Sequence, residues 1–179
     1  MGRLFGRLAR LLLPGATLLL AVRGAGCEDQ PLPGTMLGTY KVSAQSKTNS
    51  CGAGLGAPNP WVFNADLSDE GSTIYWSWID GSPVLSGILT NATQASITAQ
   101  SAANVDPSDA GAGPCTLERA DDLELTLAAG SPPPSFSGTI SYVFTVPSGS
   151  SCADQLVSAG GTYAALPCTI SYTLTATRQ

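Results

Sequence analysis

The chain has 179 residues, of which 13 are acidic, eight are basic and none is histidine, for a net charge of −5. The acidic balance repels nucleic acid and anionic surfaces. The lack of histidine excludes a Ser-His-Asp hydrolase.

The first residues read MGRLFGRLARLLLPGATLLLAVRGAGC. Arg3, Arg7 and Arg10 make a positive start, and Leu11 to Val22 is apolar. Gly24, Ala25 and Gly26 then lead into Cys27. This is the three-part order of a secretory signal. The apolar stretch is short of the ~20 residues a spanning helix needs, and Pro14 and Arg23 count against one. The Ala25-Gly26-Cys27 triplet resembles the lipobox of bacterial lipoproteins, although Gly24 stands where that family usually has leucine. The resemblance implies cleavage before Cys27, attachment of diacylglycerol to its thiol, and a membrane-anchored protein of the cell envelope facing the periplasm or cell surface. Ordinary secretion, with cleavage after Gly24 or Ala25, is the alternative.

Removing residues 1–26 leaves 153, enough for one domain with a core of its own. That part keeps Lys41, Lys47, Arg119 and Arg178 against all 13 acids, a net charge of −9. Residues 27–36 are polar and proline-containing and read as a tether. Residues 37–179 read as a single β domain.

From Leu37 onward, β-branched and aromatic residues alternate with polar ones, and Gly, Pro, Asn, Asp and Ser clusters divide the runs. The pattern predicts strands over 38–46, 60–67, 73–79, 84–90, 94–102, 115–128, 136–146 and 167–178. The sixth is expected to bend or lose pairing around Ala120 to Asp122. One helical turn is expected after Cys152. Eight strands with mostly short connections predict an all-β antiparallel meander, with a closed barrel favoured over a two-sheet sandwich because closure removes exposed edges. Size and strand count are similar to lipocalin barrels, and Gly38-Thr39-Tyr40 resembles their first-strand Gly-x-Trp. TISY occurs at 139–142 and again at 169–172. Two strands meeting the same half-buried demand explain it better than a duplicated hairpin, because nothing around the copies repeats at a fixed period.

Cys51, Cys115, Cys152 and Cys168 make an even set in an exported chain and read as two disulfides, with three possible pairings. Closeness in sequence favours Cys152–Cys168, and hence Cys51–Cys115. Zinc would need clustered cysteines or histidine partners, and the chain has neither. No cofactor and no metal is expected. The turns DLSDEG (66–71) and VDPSDAG (105–111) hold too few oxygen ligands for more than weak calcium binding.

Asp121, Asp122 and Glu124 are the one carboxylate cluster that a glycosidase-type mechanism could use. Acids on the outer face of a strand, serving solubility, are the plainer reading. Trp76 and Trp78 share a strand face by period two, and Trp61 and Phe63 share one on the preceding strand. Core packing is the ordinary fate of such rings. Inside a barrel they would line a ligand pocket. The expectation is a non-catalytic, monomeric envelope lipoprotein that binds a small apolar or glycan ligand at Trp61, Phe63, Trp76 and Trp78. The alternative is a structural or adhesive surface lipoprotein acting through protein contacts.

Overall fold

A computed structural model describes residues 31–78, 82–105 and 115–179. Cys27 and the leader lie outside the described residues, as does most of the 105–111 turn. Eight strands run in chain order: β1 (Thr35–Asn49), β2 (Trp61–Glu70), β3 (Thr73–Trp78), β4 (Leu85–Asn91), β5 (Gln94–Val105), β6 (Cys115–Leu127), β7 (Ser135–Thr145) and β8 (Cys168–Arg178). Each pairs antiparallel with the next, and β8 pairs back onto β1 to close a barrel. Two short 3-10 turns, Ala153–Gln155 and Val157–Ala159, replace the single helical turn expected after Cys152.

Alternation explains the closure. Tyr40, Val42 and Ala44 on β1, Ala65 and Leu67 on β2, Ile74 and Trp76 on β3, and Leu123, Leu125 and Leu127 on β6 are all buried. Their neighbours in sequence are mostly exposed or half-buried. A sheet with one apolar face that must bury it, and no partner layer, closes on itself. The two TISY copies lie against each other: Tyr142 pairs with Ile170, Ser141 with Ser171 and Ile140 with Tyr172. Both strands therefore meet the same alternation from opposite directions.

The loss of pairing expected in the sixth strand does not occur. Ala120, Asp121 and Asp122 pair with Gln100, Ala99 and Thr98 on one side and with Val143, Tyr142 and Ser141 on the other. The Asp121 charge is met by an arginine two residues away, Arg119.

The disulfides also differ from expectation. Cys51 bonds Cys168, and Cys115 bonds Cys152, with Cα–Cα distances of 5.0 and 4.9 Å. The expected Cys152–Cys168 and Cys51–Cys115 pairs are not formed. Barrel closure is the reason. Asn49, two residues before Cys51, pairs with Ile170, two residues after Cys168, across the β1–β8 seam. Likewise β6 begins at Cys115, and its hairpin partner β7 ends just before the segment that carries Cys152. Pairing of neighbouring strands, and not sequence distance, brings the thiols together.

The two ends of the barrel are unlike. One end carries tight connections at 71–72 and 92–93 and the loop 128–134. The core closes it: Tyr40 donates its hydroxyl proton to the Pro133 carbonyl at 2.8 Å, and its ring packs on Phe136 at 5.1 Å. At the other end β1 leads to β2 through 50–60 and β7 to β8 through 146–167, β3 and β5 finish, β4 and β6 begin, and both disulfides sit there. We call this end the mouth.

Gly138 occupies β7 between Leu125 and Leu174 in register. A Cβ there would strike the Glu124 carbonyl oxygen on β6. Gly138→Ala is expected to lower stability by about 1–3 kcal/mol, because the neighbouring backbone must shift to admit one methyl. Chemical denaturation of both proteins checks this, and an unchanged midpoint would show that the strand spacing yields freely.

Candidate functional site

The mouth holds a cavity of about 330 Å3. Its wall includes Trp61 from β2, Trp78 from β3, Arg119 and Asp121 from β6, Tyr142 and Phe144 from β7, and Ile170 and Tyr172 from β8. Leu55, Gly56, Ala57 and Tyr163 reach it from the long connections. The cavity is therefore the unfilled top of the barrel interior, above the packed core.

The four aromatic residues singled out from sequence do meet. Trp61 stacks on Trp78 with ring centroids 5.4 Å apart and planes 18° from parallel. Phe63 lies 4.7 Å from Trp78 and 4.4 Å from Trp61, and Trp76 meets Trp78 edge-on at 5.1 Å. They divide by depth. Trp61 and Trp78 are half-buried and line the cavity. Trp76 is fully buried and packs on Phe136 at 5.8 Å, so it belongs to the core beneath. Phe63 lies between, packed against the core but not lining the cavity.

The sequence reading missed the polar part of the site. On β6 every second residue, from Cys115 through Leu117, Arg119, Asp121, Leu123 and Leu125 to Leu127, falls on one face by strand parity. Asp121 shares that inward phase, whereas Asp122 and Glu124 are exposed on the other face. The three acids therefore do not form one outer cluster, and parity against the leucines is the signal that separates Asp121 from the other two.

Arg119 holds Asp121 with two parallel hydrogen bonds. Its Nε donates to Oδ1 at 2.7 Å and its Nη2 to Oδ2 at 2.8 Å. The Arg119 side chain is 46% exposed and that of Asp121 10%. This fork geometry is the stronger kind of ion pair. The guanidinium also sits 5.4 Å from the Tyr142 ring centroid, within cation–π range. Tyr172 accepts the Ala57 N–H on its hydroxyl oxygen at 2.7 Å. Its own hydroxyl proton meets no acceptor among the described residues, and the Tyr142 hydroxyl has no hydrogen-bond partner among them either.

Burial pushes the Tyr142 phenol well above its ordinary range, and the nearby Asp121 carboxylate adds to this while Arg119 opposes it. The neutral phenol is thus favoured in the folded state. Above the unfolded value near 10, the unfolded chain loses this proton first. Stability from this group is complete below that pH and falls as pH rises further. Tyr142→Phe is expected to make the alkaline loss of stability shallower, read by denaturation midpoints across the alkaline range. An unchanged slope would mean that Tyr142 ionises as easily folded as unfolded.

Of the acids in the possible calcium turns, Asp66 accepts the Thr39 hydroxyl at 2.6 Å and Glu70 that of Tyr75 at 3.4 Å. No three acidic or cysteine side chains gather into a metal-holding group among the described residues.

No protein-family model, no curated protein and no solved structure matches the chain.

Proposed function

We propose that this chain is an exported, lipid-anchored barrel of the cell envelope that binds a small molecule in its mouth, without catalysis. The observation that carries the ligand reading is a charged pair set inside an aromatic cavity. Asp121 is 9% exposed and sits at an inward position of a strand whose other inward residues beneath it are leucines. A core built for stability alone would place an apolar residue there, since a nearly buried carboxylate gives up hydration that its half-exposed arginine partner does little more than offset. Apolar walls with a few fixed polar groups are the usual make-up of a small-ligand site. The lipobox-like Ala25-Gly26-Cys27 and the two disulfides support export into an oxidising compartment.

Two measurements test this. Titration of the protein with N-phenylnaphthylamine, a neutral fluorescent dye, is expected to saturate at one site and to weaken about tenfold in Trp78→Ala. Binding that never saturates would leave the mouth as mere packing space. The mass of the mature N-terminal peptide from washed membranes is expected to show a diacylated Cys27. A soluble product with an unmodified N-terminus would sink the anchor.

A further inference from the structure

We propose that the ligand of the mouth is a neutral sugar ring, held edge-on by Arg119 and Asp121 and face-on by the aromatic wall. The proposal rests on the mouth being a ligand site and names the chemical class it takes. Four features of the cavity point the same way.

The first is charge. Arg119 and Asp121 are the only ionic residues on the described wall, and they neutralise each other through two hydrogen bonds. An organic anion or cation would meet its opposite already paired and its like charge beside it. A neutral ligand meets no such penalty. The second is the mixture of hydrogen-bonding groups. Each Asp121 oxygen accepts one bond from Arg119 and keeps a lone pair for another. Arg119 Nη1 has no partner among the described residues, and the hydroxyl protons of Tyr142 and Tyr172 have none either. Acceptors and donors thus stand side by side. A hydroxyl gives and takes at once, and a pair of adjacent hydroxyls matches such an array.

The third feature is burial. Asp121 at 9% and Tyr172 at 2% exposure are held in place before any ligand arrives, so the polar edge is pre-organised. The fourth is the wall itself. Trp61, Trp78, Phe144 and Tyr163 offer flat apolar area, which suits the C–H face of a sugar ring. A cavity of about 330 Å3 lies at the small end for ligand sites and matches one or two rings more than a long acyl chain.

The test compares two kinds of probe on the full chain. The sugars are methyl glucoside, methyl galactoside and N-acetylglucosamine, beside the charged analogues glucuronic acid and glucosamine. The apolar probe is N-phenylnaphthylamine. Two variants are used: Trp78→Ala, and the double variant Arg119→Leu/Asp121→Leu, which removes both charges together and so leaves neither buried alone. Far-ultraviolet circular dichroism and thermal unfolding confirm that each is folded.

The expected result is that at least one neutral sugar binds saturably, displaces the dye and binds more tightly than either charged analogue. In the double leucine variant sugar affinity is expected to fall at least about tenfold, and by more than dye affinity does. If the dye binds and no neutral sugar does, the sugar assignment is overturned and the ligand-binding reading stands. The sugar assignment is overturned equally if a charged analogue binds more tightly, or if the double variant keeps its sugar affinity. If neither dye nor sugar binds saturably, both readings fall.

Discussion

Replacing Cys51 and Cys168 together with alanine is expected to destabilise the protein by about 4–5 kcal/mol and to lower its melting temperature by roughly 10–20 °C. The bond spans a sequence separation of 117, so it removes a large share of the unfolded chain's freedom. It also ties β1 to β8, the seam on which closure of the barrel depends. Both sulfur-bearing residues are buried, at 0% and 3% exposure, so the loss includes packing within the core. The Cys115–Cys152 bond spans a separation of 37 within one side of the barrel, and its removal is expected to cost about 4 kcal/mol or less. Thermal unfolding of the two double variants gives the comparison. Peptide mapping without reductant checks the pairing beneath it, and recovery of a Cys152–Cys168 peptide would undo the account.

Trp76→Ala is expected to cost about 3–5 kcal/mol. The indole is fully buried and touches Phe63, Trp78 and Phe136, so truncation empties the middle of the barrel just under the cavity. Trp76→Phe should be far milder. Its Nε1 is buried with no hydrogen-bond partner among the described residues, and an unmet donor in the core is itself destabilising. Removing that N–H offsets part of the lost ring volume. Denaturant midpoints of the two variants separate the effects, and equal losses would mean that the N–H is satisfied after all. Because Trp76 stands behind Trp78, the alanine variant is also expected to loosen the aromatic wall, whereas Trp78→Ala should touch binding more than stability.

Strand number, order and the barrel were legible because the signs of them are local and repeated: each run alternates, and each break carries turn residues. The aromatic cluster was legible for the same reason, since parity within β2 and β3 puts Trp61, Phe63, Trp76 and Trp78 on inward faces. What sequence alone could not order was depth along the barrel axis. Depth separates Trp76 in the core from Trp78 at the cavity, and it depends on the stagger between strands. The disulfide pairing was hidden for a related reason. Cys51 and Cys168 become neighbours only after the first and last strands pair, a relation that no local pattern carries. Asp121 was a different kind of miss. Its phase with Leu117, Leu123 and Leu125 was visible, but its charge and its two acidic neighbours suggested solvent. The arginine two places earlier, in the same phase, was the sign that a charge could be kept inside.

The unlike ends of the barrel also give the molecule a direction. Thr35 pairs with Asp69 beside a tight turn, and Gln179 donates its backbone N–H to the Thr39 carbonyl, so the first strand begins and the last strand finishes at the closed end. The segment before β1 is held there too, with the Ser68 hydroxyl donating to the Pro33 carbonyl. Seven residues lie between Cys27 and Thr35, a leash of at most about 30 Å. A lipid on Cys27 would therefore turn the closed end toward the bilayer and leave the cavity facing outward like a cup on a short stem. In the laboratory, the same geometry means that immobilising the protein through Gln179 leaves its opening clear for a titrant.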